Sequence, residues 1–256
     1  MDSLFVFPFL AGLAVALILP LVGNLLRLRD EWLATLGFAH LAAATALIGT
    51  AFALPAIWGA PLGALAGAAF KHLSGSRSNS AYGLMILSGW TLTLLVAANT
   101  PLGDALAHAV VDGQLYFSGR RELLLDALVA LIALPALRRL TPRLIAARLF
   151  PENETANRLP AWRWHLGFDL LAALAIAAGT ATIGLMAAFA LVFVPPWLAF
   201  RFAPDWRRAG WVSVAIGVAA YNLAFFVALA LDQPFGPVLA ALLIVAFLIT
   251  GARRRI

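Results

Sequence analysis

The sequence contains no cysteine and few charged residues. Of its 256 residues, 12% are charged and 63% are hydrophobic, whereas a soluble domain has about 25% charged and about 45–50% apolar residues. The absence of cysteine excludes disulfides, thiolate metal sites and cysteine nucleophiles. The excess of apolar residues cannot be buried inside one globule of this length, so lipid must solvate much of the chain. We therefore expect an all-α, polytopic integral membrane protein.

Motifs typical of enzymes are also missing. The sequence has no Gly-rich phosphate loop, no nucleophile elbow with a Ser/His/Asp set and no metalloprotease helix. It shows no strand alternation and no repeat of short period. We therefore predict a chain without catalytic activity and without a cofactor of its own.

Nine apolar segments are candidates to cross the membrane, which takes about 17–25 residues in a helix. The run 166–200 is too long for one helix, and Gly184 and the pair Pro195-Pro196 indicate two. The third segment is short and could be re-entrant, so we predict eight or nine spans. The first segment lacks the basic start of a signal peptide, and we expect it to be retained. The segments lie at about 4–26, 32–54, 57–70, 81–98, 123–137, 166–200 (two helices), 209–231 and 237–250.

Basic residues predict the orientation. With the N-terminus outside and nine crossings, 16 of the 18 basic residues fall on the cytoplasmic side, which is the distribution that the positive-inside rule describes. The formal charge of +6 therefore needs no nucleic-acid partner, and the C-terminus is predicted to be cytoplasmic. The 16 residues lie in the loops 27–31, 71–80, 138–165 and 201–208 and in the tail 251–256; only Arg120 and Arg121 lie outside.

Three polar residues are candidates for a metal path. His40 lies in the middle of the second apolar segment, where an ionisable side chain is costly and usually faces a cavity or a partner; a neutral histidine bonded to a neighbouring helix is an equal alternative. Asp104 and His108 are four residues apart in the outer segment, so on a helix they share one face and could hold a divalent ion or orient each other.

Other polar residues have simpler interpretations. Asp126 and Asp169 lie near predicted helix starts, where a carboxylate interacts favourably with the helix dipole. His72 and His165 lie in predicted cytoplasmic loops and are expected to be solvated. None of the four is predicted to have a functional role.

The segment 150–159 is too polar to span the membrane. Pro151 at its start, Glu152 and Glu154 early and Arg158 late are typical of a short helix whose dipole is complemented. A short cytoplasmic helix between two spans can dock into a partner protein. The alternative is a helix that lies on the membrane surface.

Five segments, in this order along the chain, carry a family resemblance: 78–90, Asp112-Gly113-Gln114-Leu115, 150–159, Ile183-Gly184-Leu185 through Val194-Pro195, and 232–237. They resemble motifs of the permease subunits of ABC-type zinc and manganese uptake systems, the family called ABC-3. The second is similar to that family's Phe-Gly-Asx-Ile/Leu motif, and the fourth to its Val-Gly-Val…Ile-Pro motif. The last is similar to its outer turn, Asp-x-Pro-x-Gly-Pro.

The resemblance implies one transmembrane permease domain over residues 1–256 of a bacterial inner-membrane protein. It implies a homodimer, a separate cytoplasmic ATPase that binds ATP, an extracytoplasmic binding protein and a divalent metal cargo of the zinc or manganese type. The segment at about 150–160 then matches the family's coupling helix, which contacts the ATPase. Its candidate coupling residues are Pro151, Glu152, Asn153, Glu154, Ala156 and Arg158.

The second helix departs from the family pattern. Family members carry Gly-Asp-Ala-Leu-Ser-His there, and the Asp and His lie on the metal path. This sequence has Thr35-Leu36-Gly37-Phe38-Ala39-His40, so His40 matches the histidine and Leu36 stands at the Asp position. The family role is not transferred to Asp104 and His108, which lie elsewhere.

Three alternatives to a metal importer stay open. An ABC permease of the same fold could carry a non-metal cargo. A stand-alone secondary transporter or channel would need its own coupling-ion site, and the sequence has few intramembrane acids to form one. A membrane enzyme would need a cluster of polar residues at membrane depth.

Overall fold

The computed structural model describes residues 3–75, 78–100, 103, 105 and 113–252. Within these ranges the chain forms helices and no strand, which confirms the all-α class. Ten α-helices are defined: α1 Val6–Arg29, α2 Trp32–Ala51, α3 Ala56–Ser74, α4 Asn79–Ala98, α5 Arg120–Leu149, α6 Pro151–Ala156, α7 Ala161–Ile183, α8 Leu185–Phe202, α9 Trp206–Ala230 and α10 Phe235–Ala252. Short 3₁₀ turns lie at Ser3–Phe5 and Leu115–Phe117.

Each of the nine predicted apolar segments coincides with a helix. Six helices are long and apolar enough to cross a membrane, namely α1, α2, α4, α7, α8 and α9. The helices α3, α5 and α10 account for the other three segments, and α6 lies in the predicted cytoplasmic stretch. The prediction of a polytopic helical membrane protein is confirmed.

Two helices are longer than the sequence predicted. Helix α3 continues to Ser74, so Lys71 and His72 belong to a helix and not to the loop 71–80. Helix α5 has 30 residues and contains Pro135 and Pro142, so the basic residues from 138 to 148 also lie on a helix. The predicted ends were wrong because charged residues end the apolar core, not the helix, and a proline removes only one backbone hydrogen bond, which membrane helices tolerate.

The long apolar run divides where the sequence predicted. Gly184 separates α7 from α8 and has φ 88° and ψ 161°, a conformation that is essentially restricted to glycine. Its carbonyl accepts a hydrogen bond from the Ala188 N–H at 3.0 Å, so the new helix begins at once. Pro195 and Pro196 lie inside α8 and do not end it.

The helices pack closely because small residues line their contacts. Helix α2 lies at the centre, against α3, α4, α7 and α8, while α1 packs against α5, α8 and α9. On α3 the stripe Gly59, Gly63 and Gly67 faces α2; a Cβ at Gly59 would come within 2.5 Å of the Thr45 carbonyl oxygen. The Gly63 N–H donates a hydrogen bond to Thr45 Oγ1 at 3.1 Å. Small residues at this spacing let membrane helices approach through their backbones.

Candidate coupling site and membrane path

The short polar helix α6 connects two long helices at the predicted cytoplasmic end. It comprises Pro151–Ala156, with proline at its first turn and exposed Glu152 near its start. The prediction of a short helix here is confirmed. Arg158 follows the helix in a left-handed conformation, φ 50°, so its predicted place in the last helical turn was wrong.

The two acids of α6 have different environments. The Glu154 carboxylate is half-buried and binds α7: its Oε1 accepts a hydrogen bond from Trp164 Nε1 at 2.8 Å, and its Oε2 lies 3.3 Å from His165 Nε2. Glu152 is exposed. The sequence treated both acids as equal candidates for docking. In the structure Glu154 fixes α6 to α7, and Glu152 faces outward.

Four buried charged side chains form an ionic cluster near α6, which we call the four-charge cluster: Arg29, Glu31, Lys71 and Asp169. Lys71 Nζ lies 2.8 Å from Glu31 Oε2 and 2.7 Å from Asp169 Oδ1. Arg29 Nε lies 2.9 Å from Glu31 Oε2, and its Nη1 lies 3.0 Å from Asp169 Oδ1. All four side chains are 6% exposed or less. These four side chains carry two positive and two negative charges, and buried ions require such pairing.

The four-charge cluster joins three helices and one turn. Arg29 ends α1, Glu31 lies in the turn before α2, Lys71 lies in α3 and Asp169 in α7. The interpretation of Asp169 as a helix-start residue was wrong, because it lies roughly two turns inside α7. Sequence reasoning did not single out Glu31. The available signal was an acid placed among basic residues at the end of an apolar segment.

Helix α7 connects α6 to the four-charge cluster. His165, which contacts Glu154, and Asp169 are four residues apart and so lie on one face of α7. A cavity of about 360 Å³ lies between the two sites, and its lining includes Lys71, His72, Glu154, His165 and Asp169. His72 and His165 are therefore helical residues beside this cavity and not loop residues. A displacement of α6 acts on the same face of α7 that holds Asp169.

His40 lies at the contact between α2 and α4. Its Nδ1 is 2.8 Å from the Leu36 carbonyl oxygen, and its ring centroid is 5.7 Å from that of Trp90. Helix α4 approaches closely because Gly89 is opposite: a Cβ there would lie 2.5 Å from the His40 carbonyl carbon. The side chain is half-buried. Its hydrogen bond stays within α2, and its ring contact comes from α4. A place on the metal path stays a prediction.

At the end predicted to lie outside, Asp126 is a buried acid on α5. It is 0% exposed, and its Oδ2 accepts a hydrogen bond from Thr182 Oγ1 of α7 at 2.8 Å. The interpretation of Asp126 as a helix-start residue was wrong. That role belongs to Glu122, whose Oε2 accepts from the Gly119 N–H at 2.7 Å. Asp126 instead joins two helices.

The 3₁₀ turn at Leu115–Phe117 is fixed to α9. Tyr116 donates its hydroxyl hydrogen to the Phe225 carbonyl oxygen at 3.0 Å. Burial raises the pKa of the Tyr116 phenol to about 12, so it remains a neutral donor at physiological pH. Asp104 and His108 lie outside the described residues. Among the residues that are described, no three His, Cys, Asp or Glu side chains form a metal-binding group.

Comparison with protein families agrees with this architecture. Residues 1–254 match the model of the ABC 3 transport family. The chain belongs to this family. The ABC 3 resemblance found in the five sequence segments is thereby confirmed over nearly the whole chain, and the chain is a multi-pass transport subunit.

Solved structures share the ABC 3 fold of this chain at low identity. The structure titled PsaBC from Streptococcus pneumoniae in complex with Fab is 17% identical, with a TM-score of 0.83, over 96% of this chain and 90% of that chain. A structure described as a metal-chelate type ABC transporter in an inward-facing conformation is also 17% identical. Its TM-score is 0.78, over 96% of this chain and 85% of that chain. Among curated proteins, none matches this chain.

Membership of ABC 3 assigns no residue a role. The metal-path residues His40, Asp104 and His108 stay predictions. The same holds for the coupling residues Pro151, Glu152, Asn153, Glu154, Ala156 and Arg158.

Proposed function

We propose that this chain is the membrane-spanning permease of a bacterial inner-membrane ABC importer for a divalent metal ion of the zinc or manganese type. Two copies form the permease, a cytoplasmic ATPase binds at α6 and an extracytoplasmic protein delivers the ion. The chain itself hydrolyses no ATP. The observation that carries the proposal is the ABC 3 match over residues 1–254.

The position of α6 supports ATPase docking. This helix lies between two membrane helices, and each of its residues other than Glu154 is exposed. Glu154 fixes it to α7 through Trp164 and His165, so a push on α6 moves α7 and is not absorbed by a loop. Glu152 remains available for a basic group of the partner, because charged groups at the rim of an interface select the partner and its orientation.

His40 supports a metal cargo. Imidazole is a common ligand for zinc and other divalent transition metals. Among the described histidines, His40 alone lies in the middle of an apolar helix. Leu36 supplies no carboxylate one turn earlier, so the ion would be held here by fewer charged ligands than in the family pattern.

Transport by the reconstituted complex tests the proposal. The permease, its cognate ATPase and its binding protein are placed in proteoliposomes, and ATP-dependent accumulation of zinc and of manganese is measured. We expect accumulation of at least one ion, and a loss of about tenfold or more in His40→Ala, since one lost ligand group typically costs that much. His72→Ala is the matched histidine control. Accumulation without ATP would favour a secondary transporter. If neither zinc nor manganese accumulates, a non-metal cargo would be favoured.

Charge reversal on α6 tests the coupling role. We expect Glu152→Lys to weaken binding of the ATPase and to lower transport-coupled hydrolysis, while Glu152→Gln has a smaller effect. Glu154→Gln should leave the ATPase bound but reduce coupling, because it weakens the contact between α6 and α7. If Glu152→Lys keeps both the partner and coupled hydrolysis, α6 is not the docking element.

A further inference from the structure

A second cavity lies between the cytoplasmic ends of α5 and α7, next to α6. Its volume is about 400 Å³, and its lining combines the arginines Arg143 and Arg163 with the apolar residues Ala146, Ala147, Leu159, Pro160 and Trp164, together with Asn153 and Glu154. We propose that this cavity binds the phosphate of an anionic phospholipid from the inner leaflet, with Arg143 and Arg163 as its ligands.

Arg143 and Arg163 carry positive charge that no carboxylate of the described residues pairs with. The one acid in the lining, Glu154, already accepts from Trp164 and contacts His165. Two guanidinium groups therefore line one cavity, and the carboxylate of Glu154 that shares it is bound to other side chains. Guanidinium is the side chain best suited to bind phosphate oxygens in pairs.

Two aromatic rings orient the two arginines. The Arg143 guanidinium carbon lies 5.7 Å from the centroid of the Trp164 ring, and that of Arg163 lies 5.6 Å from the centroid of Trp162. Both distances are within the range of cation–π contacts. Such contacts hold a guanidinium in place while leaving its N–H groups free for an anion.

Both arginines lie at the depth of the lipid headgroups. Helix α5 rises about 45 Å over its 30 residues, which exceeds a hydrocarbon core of about 30 Å. Its apolar stretch ends before Arg138, so Arg143 lies about one and a half turns farther, at headgroup level. On α7, Arg163 likewise precedes the first residue of the apolar run, Leu166, by about one turn. Trp162 is 55% exposed at the same level, as is typical of membrane-interface aromatics.

The apolar part of the lining favours a lipid over a soluble anion. Ala146, Ala147, Leu159 and Pro160 offer no hydrogen-bond donors from their side chains, but they can contact a glycerol backbone and the first acyl carbons. Basic pockets between membrane helices on the cytoplasmic side suit anionic headgroups. Because Glu154 and Trp164 line the cavity too, a bound headgroup would lie directly against the contact that fixes α6 to α7. The inference concerns a lipid and holds whichever ion the transporter carries.

The test uses the full-length chain in nanodiscs and in native mass spectrometry. The probe is phosphatidylglycerol in a phosphatidylcholine background, and the readouts are retained phosphatidylglycerol and the thermal unfolding midpoint. We expect retention by the parent chain and an upward shift of its midpoint with phosphatidylglycerol. Arg143→Gln and Arg163→Gln should each reduce retention roughly fivefold, and the double variant more, as expected for basic residues near an anionic leaflet. Arg143→Lys should retain more phosphatidylglycerol than Arg143→Gln and less than the parent.

Arg207→Gln is the matched control, because Arg207 is an exposed cytoplasmic-side arginine outside the cavity. It should retain as much phosphatidylglycerol as the parent. In pure phosphatidylcholine all variants should unfold at the parent's midpoint, which separates lost binding from lost folding. Equal retention by the double variant and the parent would overturn the proposal. An equal midpoint shift with inorganic phosphate would also overturn it. Loss of the ATPase from the double variant in pure phosphatidylcholine would overturn it as well, because the arginines would then belong to protein docking.

Discussion

The two ends of α7 hold their neighbours in different ways. At the end that is predicted to be cytoplasmic, Asp169 belongs to the four-charge cluster, in which each group contacts both groups of opposite sign. At the opposite end, Thr182 donates one hydrogen bond to Asp126, and the helix stops at Gly184. The four-charge cluster therefore forms or breaks as a unit, whereas Thr182 and Asp126 form a single pair. A transporter driven from the cytoplasm would act on the end of α7 that responds cooperatively.

Breaking the charge balance should have the largest effect on stability. Lys71→Met removes the ammonium that contacts both Glu31 and Asp169, and removal of one partner from a buried ion pair costs about 3–5 kcal/mol. The measurement is unfolding of the detergent-solubilised chain by heat or by denaturing detergent. The double variant Lys71→Met/Glu31→Gln removes one charge of each sign and should recover a large part of the lost stability. An unchanged midpoint in Lys71→Met would mean that the cluster does not hold the helices together.

A substitution at the break after α7 should cause the next largest loss of stability. Gly184→Ala places a Cβ on a backbone with φ 88° and ψ 161°, and such strain costs of the order of 1–3 kcal/mol. Gly167→Ala on the same helix is the control, because a Cβ at Gly167 meets nothing within 4 Å. The control should unfold like the parent or at a slightly higher midpoint. If the two variants are equally stable, the turn does not require glycine.

The outer pair should show a smaller loss. Asp126→Leu removes the acceptor of the Thr182 hydroxyl, and an unsatisfied buried hydroxyl costs about 1–3 kcal/mol. We expect the lower half of that range, because a helical threonine can bond to a backbone carbonyl of its own helix instead. A double-mutant cycle with Thr182→Val measures the pair. A coupling energy near zero would show that the two residues do not interact.

The loss of an exposed ion pair should have the smallest effect on stability. Arg208 Nε lies 3.3 Å from Asp205 Oδ2, and the two side chains are 72% and 50% exposed. Arg208→Gln should change the free energy of unfolding by no more than about 0.5 kcal/mol, because water and salt screen such pairs. A loss as large as that of Lys71→Met would remove the distinction between buried and exposed charge on which the comparison depends.

Much of the fold could be predicted from the sequence, because lipid imposes a simple requirement on composition. Nine apolar segments, the break at Gly184 and the polar helix at 151–156 all follow from solvation and backbone geometry. Helix ends could not be located in the same way: α3 and α5 extend past their apolar cores, since charged residues near the headgroups remain helical. This is why Lys71 was assigned to a loop.

The buried polar contacts could not be predicted for a different reason. Glu31 and Asp169 are far apart in sequence, and their shared contact with Lys71 depends on how α1, α3 and α7 pack. Asp126 and Asp169 each had a local explanation at a helix start, and local sequence cannot show that a residue on another helix binds the carboxylate. The polar helix α6 was predictable because its character depends on its own residues, whereas the separate environments of Glu152 and Glu154 were not.

One feature of the four-charge cluster makes it chemically addressable. Lys71 is the only lysine in the sequence, so apart from the N-terminal amine it is the only primary amine that an acylating reagent can modify. While its ammonium is held between Glu31 and Asp169 at 2% exposure, it is not accessible to such a reagent. Water-soluble amine reagents would therefore acylate this side chain only when the cytoplasmic ends of the helices separate, which makes the native protein its own reporter of that opening.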